Sequence, residues 1–319
     1  MMKINNDIVK TLKESNKVAI FIHTNPDGDC LGGASALKQA LVLLNKTVDI
    51  FSDSKVSENY SFIKYVNEIR YDENVEGYDL HVAVDCSDLK RLAKYDKYFN
   101  TIDNTIVIDH HKTSEKYSRL SHVESGMSSV CLILYYYIKE LCGLNIEIAQ
   151  SLYAGISSDT GCFIHSNTTS LEHLVAAELI DYGFDLDHAN QMLFKYTTLA
   201  KFELNKRALA GTEFFADGKI GLIKLTKQDL IQSHAELNDT TGLVNQITNV
   251  NCCEIGVIIY EQEHGLFRCS LRSKNSVDVS AIAQEFGGGG HERAAGCNIF
   301  GCLNTVKKKI VSVCQKYLN

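Results

Sequence analysis

Proline is nearly absent from this chain of 319 residues, Pro26 standing alone, and low-complexity tracts are missing altogether, so the whole chain is expected to fold. No apolar run approaches the roughly 18 residues that cross a bilayer. The start, MMKINNDIVKTLKESNK, is polar and amphipathic, unlike a secretory signal, so a cytoplasmic protein without membrane partners is expected. Cysteine is plentiful at 11, yet no C-x-x-C pair occurs and the residues scatter from Cys30 to Cys314. That distribution excludes a zinc ribbon and fits reduced thiols better than a disulfide framework. An excess of basic residues is also lacking: the formal net charge is -7, which argues against a protein that tracks long duplex nucleic acid. A small phosphate ester, held by metal ions and one or two arginines, remains compatible with that charge.

What is present suggests two modules of α/β type. The length suits two cores. Apolar, β-rich runs at Lys17 to His23, Thr47 to Ser52, Tyr78 to Val84, Thr105 to Ile108 and Leu120 to Val123 alternate with helical patterns, which predicts a mostly parallel sheet flanked by helices. Leu31 to Asn45 carries Leu31, Ala34, Leu37, Leu41 and Leu44 at helical steps. Helices are also expected at Ser128 to Leu141, Ile146 to Ser157 and Ser170 to Tyr182, the last stopping at Gly183. The expected division is a domain over 1–187, a helical connector over 188–212 and a smaller α/β domain over 213–319. In the latter, strands are expected at Lys219 to Leu225, Glu254 to Glu261 and Leu266 to Leu271, a tight hairpin at Glu263 to Gly265, and a helix from Ser280 to Phe286 ending at Gly287.

In α/β sheets the working groups gather beyond the carboxyl ends of the strands. The first run ends in His23-Thr-Asn-Pro-Asp27-Gly-Asp29, expected as a turn; the third ends in Asp85, with Asp88 three residues on; the fourth ends in Asp109-His110-His111. Asp159 closes a helix in GISSDTG. Asp88 reads as a turn former or helix cap. The others form one constellation of carboxylates and imidazoles, which would repel itself without cations and suits manganese or magnesium. Four or more acids imply two metals, and a pair about 4 Å apart hydrolyses phosphoesters. An EF-hand is excluded by Lys38 at the twelfth loop position, and a zincin by Ala295 after His291-Glu292.

A second feature, GGGGHERAAG from Gly287 to Gly296, follows a helix, the wrong place for a dinucleotide fingerprint. Its glycine run is read as a loop whose amides could nest a phosphate, with His291 bonding a phosphate or stacking on a base. Arg272, ending a strand before Ser273, is read as a phosphate clamp. Cys30, Cys86 and Cys162 lie near these motifs, and buried packing is the preferred reading for them.

On these residues the chain resembles the DHH superfamily, in particular the stand-alone nanoRNase and pAp phosphatase group with its DHH-associated C-terminal domain. The matching motifs are His23 to Asp29, Val84 to Asp88, Asp109-His110-His111, Asp159, SLRS at Ser270 to Ser273 and GGGGH at Gly287 to His291. The resemblance implies an active site in a cleft between two domains and two divalent ions, manganese before magnesium. One ion would take His23, Asp27 and Asp85, the other Asp29, Asp85, His110 and Asp159. It further implies that His111 meets the reacting phosphate, that Asp109 orients the pair, and that Arg272, Ser273, Gly288, Gly289, Gly290 and His291 bind the rest of a nucleotide. The implied activity is that of a bifunctional oligoribonuclease and pAp phosphatase acting on short single-stranded RNA or small nucleotides, including linear dinucleotides. Turnover of cyclic dinucleotides or their linear products is the alternative; an inorganic pyrophosphatase or a silent nucleotide-binding module ranks lower. A homodimer is left open.

Overall fold

The computed structural model describes residues 2–263 and 265–318. The chain divides after Tyr196 into two compact units.

In the first unit, helix α1 (Asn6–Glu14) precedes strand β1 (Lys17–Ile22) and helix α2 (Gly28–Leu43). Then come β2 (Thr47–Phe51), β3 (Leu80–Val84), a one-turn helix α3 (Asp96–Phe99), β4 (Thr105–Asp109) and β5 (Leu120–Val123). Four helices follow: α4 (Val130–Leu141), α5 (Ile146–Asp159), α6 (Ser170–Ile180) and α7 (Leu186–Asn190). The five strands are parallel in the order β2-β1-β3-β4-β5. Chain direction across the sheet reverses between β1 and β3, and that reversal opens a crevice at the carboxyl ends of these two strands.

Both faces of the sheet are covered, which is why its strands read as continuous apolar runs. Along β1, Val18, Ile20 and Ile22 join the larger core under the helices, while Ala19 and Phe21 face a second, aromatic cluster with Phe51, Tyr78, Tyr95 and Phe99. Helix α2 lies deepest. It crosses α5 so closely that a Cβ on Gly32 would stand 2.4 Å from the Ser151 carbonyl oxygen, and one on Gly155 would stand 2.7 Å from the Asp29 carboxylate. Glycine at this crossing lets the N-terminus of α2 and the C-terminus of α5 share one small volume.

The second unit contains α8 (Leu199–Ala210), β6 (Glu213–Phe215), β7 (Ile220–Leu225), α9 (Lys227–Ser233), α10 (Leu243–Thr248), β8 (Ile255–Glu263) and β9 (Leu266–Ser273). It ends with α11 (Val279–Gln284), β10 (Gly289–His291), β11 (Ala294–Phe300) and α12 (Leu303–Lys316). Its sheet runs β10-β11-β9-β8-β7-β6, with β7 and β8 parallel and the other neighbours antiparallel. One face packs on α11 and α12; part of the other packs on α8 and α10. Seven cysteines are buried, Cys30, Cys86 and Cys131 in the first unit and Cys253, Cys269, Cys297 and Cys314 in the second.

Several expectations are corrected. Asp27 to Asp29 is no turn: Asp27 caps α2, accepting from the Asp29 and Cys30 amides at 3.1 Å, and Asp29 lies inside the first turn of a helix that starts at Gly28, three residues before the expected start at Leu31. The 188–212 stretch, expected as a helical connector, is largely helical but broken, and the division of the chain falls inside it. A π-turn over Gln191–Lys195 ends α7, Tyr196 is extended, and Thr198 caps a separate α8. The glycine run does not form an open nest, because Gly289–His291 pair as an edge strand with Ala294–Gly296. A Cβ on Gly288 would stand 2.3 Å from the Gly296 carbonyl oxygen, so the small residues serve close strand packing. Cys162, expected inside, is exposed in the turn after α5. Of the expected hairpin at Glu263 to Gly265, His264 lies outside the described residues.

Candidate active site

Three strand ends and two helix ends, the start of α2 with Asp29 and the end of α5, deliver the site. His23 follows β1, Asp85 follows β3, Asp109 ends β4 and places His110 and His111 directly beyond it, and Asp159 closes α5. His23, Asp29, Asp85 and Asp109 are buried, Asp85 with its backbone in the left-handed region at φ 61°. That conformation swings its carboxylate out of the strand direction and into the crevice.

Asp85 is the centre. His23 Nε2 lies 3.5 Å from one carboxylate oxygen; His110 Nε2 at 3.5 Å and His111 Nδ1 at 3.6 Å approach the other. Burial opposes ionisation of Asp85, but His110 and His23 outweigh it and hold the carboxyl down at about 2. On the other side, His110 Nε2 is 3.2 Å from Asp159 and 3.8 Å from Asp29. Burial pushes the His110 imidazole down, yet Asp159, Asp85 and Asp29 together carry it up to about 11. The Asp29 carboxyl rises well above the usual range through burial and the nearby Asp159 and Asp85. So many negative groups in so small a space demand positive charge.

The donor set fits divalent ions. His23 Nδ1 donates to the Thr24 carbonyl at 2.8 Å and His110 Nδ1 to the Met127 carbonyl at 3.3 Å. A carbonyl only accepts, so each neutral ring carries its proton on Nδ1 and turns the Nε2 lone pair toward carboxylate oxygens. A cation is needed between Nε2 and these oxygens, a proton when the site is empty of metal and a divalent ion in its place, and His23 Nε2 and Asp85 Oδ1 are both buried without a hydrogen-bond partner among the described residues. Three donor sets lie within 4.8 Å: His23 with Cys30 and Asp85, Asp85 with His110 and His111, and Asp29 with His110 and Asp159. Cys30 is a poor donor, since burial raises its thiol well above the usual value. Asp27 stands at 4.0 Å from His23 Nε2, with its half-exposed carboxylate also engaged as the α2 cap.

His111 differs from the other two imidazoles. Its Nδ1 is held by Asp109 Oδ1 at 2.7 Å, an interaction that raises its proton affinity, and the side chain is 34% exposed. Asp88 accepts from the Arg91 amide as a cap, as its spacing suggested.

In the second unit, β9 turns Phe267, Cys269 and Leu271 into the core and Arg268, Ser270 and Arg272 to the opposite face. By register, His291, Ala294 and Arg272 lie side by side on that face, as do Gly289, Gly296 and Ser270. Arg272 is half-buried, burial lowers its pKa, and among the described residues its guanidinium bonds only to the Leu271 carbonyl, at 3.1 Å. Ser273 Oγ donates to the Glu292 carbonyl, and Arg293 reaches the Val277 carbonyl at 3.3 Å beside it. Arg268 and Arg293 were missed, although HERAAG displays the second openly. The carbonyls of Thr24 and Met127 leave no mark in a sequence.

Two family models match the chain: the DHH family, N-terminal domain, over residues 17–156, and the DHHA1 domain over residues 227–317. A Streptococcus mutans protein named as a probable bifunctional oligoribonuclease and PAP phosphatase NrnA is 30% identical over 298 residues, 92% of this chain and 93% of that protein. The crystal structure of an exopolyphosphatase-related protein from Bacteroides fragilis superposes with a TM-score of 0.90 at 23% identity, covering 98% of this chain and 95% of that one. RecJ from Thermus thermophilus, solved in complex with Mn2+, superposes with a TM-score of 0.57 at 15% identity, covering 97% of this chain and 54% of that one.

Proposed function

The chain belongs to the DHH family, and from that premise we propose that it is a metal-dependent bifunctional oligoribonuclease and pAp phosphatase acting on RNA of a few nucleotides. The observation that carries this reading is the cluster around Asp85, where three imidazoles and the carboxylates Asp29 and Asp159 surround one buried carboxylate at the strand-order reversal. His23, Asp27 and Asp85 would hold one divalent ion and Asp29, Asp85, His110 and Asp159 a second, manganese ahead of magnesium for this oxygen and imidazole set. Such ions supply an activated water at neutral pH and charge for the phosphoryl oxygens.

The protein's own groups do the rest. Asp109 fixes the His111 ring and favours its protonated form, so that Nε2–H donates to a phosphoryl oxygen as charge develops there. The first unit is thus assigned the chemistry. The second is assigned substrate binding: Arg272, without a carboxylate partner among the described residues, clamps a phosphate, and Ser273, His291 and the unpaired outer edge of β10 along Gly288, Gly289 and Gly290 hold the nucleotide beside it. A cytoplasmic setting belongs to the same reading, supported by 11 free cysteines. Among the described residues no helix is long and apolar enough to cross a membrane.

Turnover with manganese, compared across a short RNA, pAp, a linear diadenylate, a cyclic dinucleotide and pyrophosphate, tests the proposal. Fast cleavage of short RNA and pAp is expected. Preference for the cyclic or linear dinucleotide would move the enzyme to turnover of those messengers, and preference for pyrophosphate would overturn the role given to the second unit.

A further inference from the structure

The three members of the Asp29–His110–Asp159 group come from α2, the end of β4 and α5, yet one short segment reaches all of them. Met127 offers its carbonyl to His110 Nδ1 at 3.3 Å. The Val130 and Cys131 amides, first in α4, donate to the two Asp29 oxygens at 2.6 and 3.0 Å. Between these, the Ser128 carbonyl accepts from Asn167 Nδ2 at 3.3 Å, and the same nitrogen donates to the Asp159 carbonyl at 3.2 Å. His165 also reaches the Asp159 carbonyl, at 3.3 Å, but among the described residues its ring makes no bond to the Met127–Cys131 segment. His23 is held differently, by its own neighbour Thr24.

We infer that Met127–Cys131, tied to the turn after α5 by Asn167, is the positioning device for the Asp29–His110–Asp159 group alone, and that Asn167 is the side chain that closes it. The inference rests on the two-ion reading above. Asn167 touches no reacting atom. It fixes the end of α5 against the segment that already sets the His110 tautomer and the Asp29 rotamer, so that three ligands from distant parts of the chain keep one mutual geometry. Partners that hold ligands in this way typically change metal affinity by about 10- to 100-fold when removed. Because the carbonyls of Ser128 and Asp159 can only accept, aspartate in place of asparagine preserves the shape and removes both bonds.

The test is a titration of the metal-free full chain with Mn2+, without substrate, read by electron paramagnetic resonance of free Mn2+ and by calorimetry. The wild-type protein is expected to take two equivalents. Asn167→Asp and Asn167→Ala should each leave one equivalent at wild-type affinity and weaken the other about 10-fold, with thermal unfolding of the metal-free protein unchanged. Two equivalents of unaltered affinity in both variants, or equal weakening of both, would overturn the inference. Should Asn167→Ala fail to fold, the near-isosteric aspartate variant decides alone. A wild-type protein that takes a single Mn2+ would overturn the two-ion reading itself, a failure seen before any variant is made.

Discussion

Asp109 shows how much one buried carboxylate can do without touching a substrate. Its Oδ1 holds His111 at 2.7 Å, while Oδ2 is buried without a partner among the described residues. Asp109→Asn keeps the volume but removes the charge that favours a protonated His111. We expect kcat to fall about 100-fold, the lower end for losing an acid–base contribution, with Mn2+ binding retained; steady-state kinetics beside a metal titration checks both. His81 supplies a different test. Its Nδ1 donates to the Phe99 carbonyl at 2.9 Å, its ring meets Phe21 edge-on at 5.2 Å, and burial lowers its pKa below 6.5. A histidine that folds neutral binds its proton more tightly when unfolded, so its contribution is fully present above the unfolded pKa and is lost as pH falls through and below about 6.5. The raised imidazoles of the site act in the opposite sense, so the test is the difference between two proteins: in urea unfolding of the metal-free chain between pH 7 and 5.5, wild type should lose stability relative to His81→Leu as pH falls, by up to about 1.4 kcal/mol per pH unit.

Elements explain what could be read from the sequence and what could not. The parallel strands of the first unit were legible because both faces are buried and the runs are uninterrupted, and the site was legible because strand ends are where an α/β sheet places chemistry. The start of α2 was misplaced by three residues, since Gly28 and Asp29 look like turn residues until Asp27 is recognised as a cap. Short elements of the second unit, such as β6, α9 and α10, left too few turns for periodicity to register, and β10 hid inside a glycine run that suggests a loop. Those glycines are also testable. Gly290 has φ 148°, and a Cβ there would stand 2.5 Å from the Ala294 carbonyl oxygen. Gly290→Ala should therefore unpair β10 and raise KM for pAp and short RNA about 10-fold or more, by the roughly 1.4 kcal/mol per tenfold that one lost contact represents. In the first unit, Gly155→Ala would force a Cβ to 2.1 Å from Cys131 Sγ. Overpacking of this kind costs about 1–3 kcal/mol, to be read by chemical denaturation.

At the scale of the whole molecule, charge limits the substrate. With a net charge of -7, and with Arg268 and Arg272 on the outer face of β9 and Arg293 beside Ser273 as the arginines assigned to substrate, about three phosphates can be neutralised there. For a single strand that predicts a salt slope near -2 in log KM-derived affinity, about 0.7 per phosphate. Lengthening the RNA beyond a few nucleotides should leave that slope unchanged, and a slope that steepens with length would contradict the size limit. The hidden thiols open another view of the molecule. Four cysteines are exposed in the folded chain, whereas three lie inside the first unit and four inside the second. Each core therefore carries silent reporters that alkylate only on opening. Pulsed labelling followed by peptide mass spectrometry would time the release of Cys30, Cys86 and Cys131 against that of Cys253, Cys269, Cys297 and Cys314, and so show which half of the enzyme lets go first when it is heated or stripped of metal.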